Sequence, residues 1–292
     1  MKSNMIFKLK VTIFFILTSI TGSCQKYGDL VKVNQLSTSI QEISGIAKIS
    51  QDQLIYAIND SGNDNILYGL DATGTIVKEI KLTNTTNIDW EAMASDKDGN
   101  VYVGDFGNNK NDRKDLVIYK VSEVFAKKTG NATAIKTTFV FEDQEKFPPK
   151  KEKRNFDVEA FIYLNNNFYL FTKNRAKKFD GVTKLYKIPA APGDYVAKLI
   201  GSYETCNDDN DCFVTGAAIN TENDKIVLLT YDKLFIFKNF KNDNFFEGDV
   251  EKIQLEHRSQ KEGVCFKNKN TLFIIDEGRG QSGGNLYEYP LK

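Results

Sequence analysis

From Glu42 onward the chain alternates short apolar runs with polar or Gly-containing turns, and the runs recur in groups. Each group opens on a polar residue, then Gly or Ala, then an apolar residue: EISGIA from Glu42, DWEAMA from Asp89, DVEAFI from Asp157, VTGAAI from Val214 and EGVCF from Glu262. The polar members form a column of Ser44, Glu91, Glu159, Thr215 and Glu262, and Gly45, Ala92, Ala160, Gly216 and Gly263 follow them. A second strand-like run succeeds each opening and ends in polar groups, as LIYAIND, VYVGD, FYLFTK, IVLLTY and LFIID. A third run carries an aliphatic and an aromatic residue side by side: Leu67 and Tyr68, Ile118 and Tyr119, Leu185 and Tyr186, Leu234 and Phe235, Leu286 and Tyr287. Two independent columns in one order are the signature of a repeat architecture.

The runs are short, β-branched and aromatic-rich, and spaced as a meander, so each unit predicts a four-stranded antiparallel sheet. The last unit has only three runs, and an unclaimed strand pattern, DLVKVNQL, lies near the N-terminus. A first strand that completes the last sheet is how a β-propeller closes its ring and hides its edges. The pattern therefore predicts an all-β chain, a single propeller of five four-stranded blades closed by the N-terminal strand. Six blades are the alternative and would need a strand-poor segment, FEDQEKFPPKKEKR from Phe141, to supply one more. Gly or Ala after the column residue fits first strands that crowd together on an axis.

Composition changes the picture at the ends of the chain. The 292 residues carry 39 basic and 39 acidic side chains, so no global excess of positive charge points to nucleic acid. Lys2, Lys8 and Lys10 precede the apolar run VTIFFILTSI and the small residues TGSC, the layout of a secretory signal peptide over 1–23, with the propeller over 24–292. The remaining chain has 36 basic against 39 acidic groups, a net −3. Cys24 after Thr21, Gly22 and Ser23 resembles the lipid-modified cysteine of bacterial lipoproteins, although the aliphatic Ile20 stands one place early. The expectation is an exported, monomeric cell-envelope protein, in the periplasm or at the outer membrane, touching the membrane through its N-terminal lipid alone. Cys206 and Cys212 bracket a short hydrophilic loop that a disulfide can close, and Cys265 lies in a strand as a core thiol.

Candidate chemistry gathers where the blade topology puts the long loops. The starts of first strands, the ends of second strands and the connections between units share one face, and rigid scaffolds carry function on such loops. Glu91, Glu159 and Glu262 enter the channel mouth there, with Asn59, Asp60, Asp105, Asp276 and Glu277 at neighbouring strand ends. Carboxylates converging on one axis repel unless something positive lies among them, and a calcium ion held by oxygen ligands answers that, with Glu91, Glu159, Glu262, Asp276 and Glu277 as its candidate ligands. Lys173 and Arg175 pairing with the acids is the other answer. The five arginines, Arg113, Arg154, Arg175, Arg258 and Arg279, all fall in loops of this face. Guanidinium forks suit carboxylates and phosphates, so Arg113, Arg175 and Arg279, with Lys173, Asn59, Asp60 and Asp105, are candidate contacts for a small anionic ligand. His257 is the only histidine, which excludes a multi-histidine zinc site.

The EGV and LFIIDEG stretches of the last unit resemble the glutamate-glycine and strand-end acid motifs of the SdiA-regulated and phytase-like (esterase-like phytase) propellers. The resemblance implies that Glu262, Asp276 and Glu277 contact metal or ligand, and that a calcium-dependent phosphoester or ester hydrolase is one possible activity. Ala92 and Ala160 replace the glycine of that motif, and Thr215 replaces an acid. Two readings stand side by side: an envelope propeller that binds a small anionic ligand or an envelope protein partner on its loop face, and a metal-dependent hydrolase acting at the same mouth.

Overall fold

The computed structural model describes residues 28–279 and 282–292; the expected signal peptide and Cys24 lie outside them. After strand β1 (Val31–Gln35) the chain forms β2 (Ile43–Lys48), β3 (Ile55–Asn59), β4 (Ile66–Leu70) and β5 (Ile76–Leu82). Next come β6 (Trp90–Ser95), β7 (Val101–Asp105), β8 (Leu116–Val121), a short β9 (Gly130–Ala132) and β10 (Ile135–Phe141). They are followed by β11 (Asp157–Leu164), β12 (Asn167–Lys173), β13 (Val182–Pro189) and β14 (Gly193–Glu204). The last two units are β15 (Gly216–Ile219), β16 (Lys225–Leu229), β17 (Lys233–Lys238) and β18 (Asp249–Gln254), then β19 (Lys261–Asn268), β20 (Thr271–Asp276) and β21 (Asn285–Pro290). Among the described residues there is no α-helix, only 3-10 turns.

The sheets follow the repeat. β1 pairs antiparallel with β21, so the N-terminal strand completes the last unit in the order β1-β21-β20-β19. The five opening strands pack on one another in turn, β2 on β6, β6 on β11, β11 on β15, β15 on β19 and β19 on β2. The result is a propeller-like all-β fold. Crowding at the axis accounts for the small residues: a Cβ on Gly45 would stand 3.0 Å from the backbone of Ala92.

Two features depart from the expected set of separate four-stranded sheets. β14 is long enough to serve two partners: residues 198–204 pair with β13, whereas 193–197 run parallel to β10 and fuse two units into one eight-stranded sheet. β9, which the pattern did not predict, adds a fifth strand in parallel to β5. Both bridges cover edges that would otherwise be open for aggregation. The proline-rich segment between β10 and β11 forms a single 3-10 turn and no strand, so the additional unit of the six-blade alternative does not form there.

Apolar residues of adjacent units interleave between the sheets, as where Phe106, Phe139, Phe161 and Phe168 meet. Cys206 and Cys212 are disulfide-bonded with Cα atoms 5.5 Å apart. Cys265 is a buried free thiol whose pKa burial pushes up to about 12, as befits a core residue.

Candidate functional site

The column residue of four units sits at an irregularity in its ladder. The register between first and second strands shifts around Ser44, Glu91, Glu159 and Glu262. A β-bulge leaves one residue unpaired and re-aims its side chain, which is how these positions turn toward the channel mouth. What each does there depends on its chemistry. Ser44 Oγ donates to the carbonyl of Trp90 at 2.6 Å and Thr215 Oγ1 to the carbonyl of Lys261 at 2.6 Å, so the hydroxyl members tie one unit to the next. The three glutamates line a cavity of about 210 Å³.

The cavity is a polar cup whose wall includes Glu42, Asp60, Glu91, Glu159, Glu262 and Glu277, with Lys173, Arg175 and Arg279 as its cations. Residues one place beyond the second strands supply much of this wall. By the strand registers, Asp60, Phe106, Lys173, Tyr231 and Glu277 are equivalent positions, and all but Phe106 reach the cup. Successive strand residues point to opposite sides, so the preceding residues Asn59, Asp105 and Asp276 turn away. This corrects the sequence reading, which placed Asn59, Asp105 and Asp276 at the mouth along with Asp60 and Glu277. Asp276 is fully buried and accepts from Asn285 N at 2.7 Å and Tyr287 Oη at 2.8 Å. Asp105 accepts from Asp89 N at 3.0 Å and pairs with Arg113 at 3.0 Å; Asn59 donates to the carbonyl of Ser39 at 2.9 Å. Arg113 is spent on Asp105, Asp115 and the carbonyl of Gly107, outside the cup.

One side of the cup is neutralised by the chain itself. Lys173 Nζ lies 3.0 Å from Glu159, and Arg175 bridges Glu159 at 2.9 Å and Asp157 at 2.5 Å. Burial alone would raise the Glu159 pKa, but Lys173 and Arg175 outweigh it and hold the carboxyl below its usual range. Asp157, also buried and beside Glu159, is pushed up to about 6.

The other side has no such cations. Asp60, Asp89 and Glu91 each offer an oxygen within 4.8 Å of the others. Asn87 brings them together: its amide donates to the carbonyls of Asn59 at 3.1 Å and Asp60 at 2.8 Å, and its oxygen accepts from Trp90 N at 3.1 Å. Gly107 permits the closure, since a Cβ there would stand 2.5 Å from the Asp89 carboxylate. Burial raises all three carboxyls, aided by repulsion from Glu159 on Asp60 and Glu91 and from Asp60 on Asp89; Asp89 reaches about 7 and Glu91 stands well above the usual range. Across the cup, Glu262 is 6% exposed with Oε2 buried and unpartnered, and burial lifts its pKa to about 8. Glu277 is half-buried and accepts from Gln260, and Arg279 is exposed at the rim without an ion pair among the described residues.

Asp89 was the functional residue that strand-end reasoning missed. The repeated Asp-x-Glu of DWEA and DVEA would have marked both Asp89 and Asp157. A larger cavity of about 310 Å³ at the other end of the channel is lined by Met93, Phe161, Val264 and turn residues. Its one buried acid, Asp96, is already occupied by Asn100 and Tyr102. The chemistry is therefore concentrated in the smaller cup.

No family model and no curated protein matches this chain. Among solved structures, it is similar to the PQQ-bound aldose sugar dehydrogenase of Streptomyces coelicolor at 10% identity and a TM-score of 0.51, covering 89% of this chain and 97% of that one. A gluconolactonase from Xanthomonas campestris aligns at 10% identity and a TM-score of 0.46, over 86% of this chain and 72% of that one. At these identities the likeness is one of fold, a propeller-like arrangement.

Proposed function

We propose that this protein is a five-bladed, exported cell-envelope propeller that holds a divalent cation, calcium by its all-oxygen donor set, at the channel mouth and uses it to bind a small anionic ligand. The observation that carries the reading is the Asp60, Asp89 and Glu91 cluster, three inward carboxylates within 4.8 Å of one another with no lysine or arginine paired to them among the described residues. Hard cations with flexible, oxygen-only coordination suit such a set. The donor chemistry fits: two partly open aspartates and one buried glutamate, with Glu262 lining the same cavity. A bound ion would offset the burial and like-charge repulsion that raise these carboxyls, and would add positive charge beside Arg279 for an anion.

The arginine pattern takes a narrower meaning here. Arg113, Arg175 and Arg258 are committed to Asp105, Asp157 with Glu159, and Asp211. Arg279 is thus the cup's uncommitted guanidinium, and the cation supplies the remaining positive charge. The phytase-like resemblance extends the proposal to ester hydrolysis with the cation as Lewis acid. In that version Glu91 takes the metal role that the resemblance assigned to Asp276, which is buried elsewhere.

Calorimetric titration of the chelator-treated protein with calcium tests this directly. Saturable binding that disappears in Asp89→Asn is expected, together with a higher melting temperature in calcium than in chelator. Absence of heat and an unchanged melt would overturn the cation site. Turnover of a phosphomonoester only in the loaded protein would select the hydrolase over simple binding.

A further inference from the structure

A second surface adjoins the cup and has the opposite sign. Three loops lie side by side there, residues 107–115, 142–156 and 174–181, and they are knitted by main-chain and amide bonds. Arg175 N donates to the carbonyl of Arg154 at 2.9 Å and Lys177 N to that of Lys151 at 2.9 Å. Gln144 donates to the carbonyl of Asn111 at 2.8 Å, whose own side chain accepts from Phe156 N at 3.0 Å. The loops are therefore one fixed platform.

Lysine is the commonest of its exposed side chains. The middle loop contributes Lys146, Lys150, Lys151 and Lys153, stiffened by Pro148 and Pro149. Lys110 and Lys114 flank it on one side and Lys177 and Lys178 on the other. None of these ammonium groups forms an ion pair among the described residues, although the platform also contains acids. Asp115, Glu142 and Asp143 are paired instead with Arg113, Lys198 and Lys184, and with Asp112, Glu145, Glu152 and Asp180 also exposed there, the three loops hold eight lysines and three arginines against seven acids, a net +4. Buried in the platform, Arg154 Nε has no hydrogen-bond partner among the described residues. In a chain of net charge −3 beyond the signal segment, so many unpaired cations on one rigid platform form a local field that concentrates anions.

We infer that this platform is a docking surface for a polyanionic glycan, a sugar polymer bearing carboxylate or phosphate groups. Lysine ammoniums are point charges on flexible stems, suited to irregularly spaced anions rather than to one bidentate group. None of the large exposed hydrophobic residues lies in these three loops, so the apolar insertion that anchors a protein in a bilayer surface is missing among the described residues. The partly exposed aromatic rings of these loops are already engaged within the fold: Lys114 Nζ lies 4.9 Å from the Phe147 ring, and Phe179 packs edge-on against Phe213 at 5.0 Å. An extended chain laid along the platform would meet the cup at Arg175, whose backbone joins the platform and whose guanidinium reaches Asp157 and Glu159.

The test is binding of fluorescently labelled polygalacturonate and dextran phosphate, with neutral dextran, phosphatidylglycerol vesicles and a single-stranded oligonucleotide as further probes. Chelator is present throughout, so the outcome is independent of the proposed cation site. The first two polymers decide between carboxylate and phosphate. Binding that weakens at least tenfold between about 50 and 200 mM salt is expected. It should fall at least tenfold again in the combined Lys150→Glu, Lys151→Glu, Lys153→Glu and Lys177→Glu variant, with its melting temperature unchanged. Lys97→Glu with Lys269→Glu, in turns elsewhere, makes half of that change in net charge away from the platform and should bind as the parent does. No polymer binding, equal binding of neutral dextran, or tighter binding of vesicles or oligonucleotide through the same lysines would each overturn the assignment.

Discussion

The Asp157 and Asp89 sides of the cup are built from the same repeated Asp-x-Glu element and end in opposite electrostatic states. Beyond β12 the chain places Lys173 and Arg175 against Asp157 and Glu159; at the equivalent positions beyond β7 it places Phe106 and Asn108. Phe106 turns into the core against Phe161. One pair of carboxylates is thereby neutralised internally, and the other clusters with Asp60 and forms no ion pair among the described residues. An uncompensated buried charge is costly, so the second arrangement persists by protonation or by an external cation. The comparison teaches that a repeat can keep its geometry while a two-residue change at a strand end converts a neutralised carboxylate pair into one without cations of its own.

Four experiments press on that contrast. The largest effect is expected from Glu159→Gln, which leaves Lys173 and Arg175 without their shared buried carboxylate; urea denaturation should show a loss of about 3 kcal/mol or more. Glu91→Gln should do the reverse in chelator, leaving stability equal or higher, because it removes an unpaired buried acid. In calcium at about 100 times the Kd, where the parent gains about 2.7 kcal/mol, that variant should gain nothing. Equal responses of the two variants would erase the distinction between the sides.

The pH dependence separates them by sign. Glu262 has a folded pKa near 8, far above that of an unfolded glutamate, so its contribution is whole below about pH 4.3 and is lost as pH rises toward 8. Glu159 is shifted downward, so its contribution is present above about pH 4.3 and is lost on acidification. Metal-free protein should therefore lose stability between pH 5 and 8, with Asp89, Glu91 and Asp157 adding to the loss, and Glu262→Gln should reduce that loss by about 3 kcal/mol, which denaturation at several pH values measures. The smallest effect belongs to Gly107→Ala, whose added methyl displaces Asp89. Calcium affinity should weaken by about 1 kcal/mol, roughly fivefold, with the Glu159 side untouched.

Much of this was readable in the chain. The column Ser44, Glu91, Glu159, Thr215 and Glu262 located the channel mouth, and DLVKVNQL found its partner β21 because an unpaired strand and an incomplete unit are visible as patterns. Asn59, Asp105 and Asp276 were assigned to the mouth because strand ends cannot be placed to one residue from sequence, and a shift of one reverses the face. β9 and the dual pairing of β14 escaped because they are contacts between units, and the local pattern of one strand does not report its second neighbour.

The sequence by itself determined the repeat, the strand periodicity and the residue types available at each turn, since these depend on local alternation and on side-chain chemistry. Only the tertiary structure decided which carboxylates share a cavity, which lysines and arginines neutralise them, and that three distant loops form one basic platform. Those outcomes depend on the bulges that re-aim the column and on Asn87 and Gly107, which bring Asp60 within reach of Asp89. Electrostatic energy depends on distance and burial, and neither exists until the units have closed on one another.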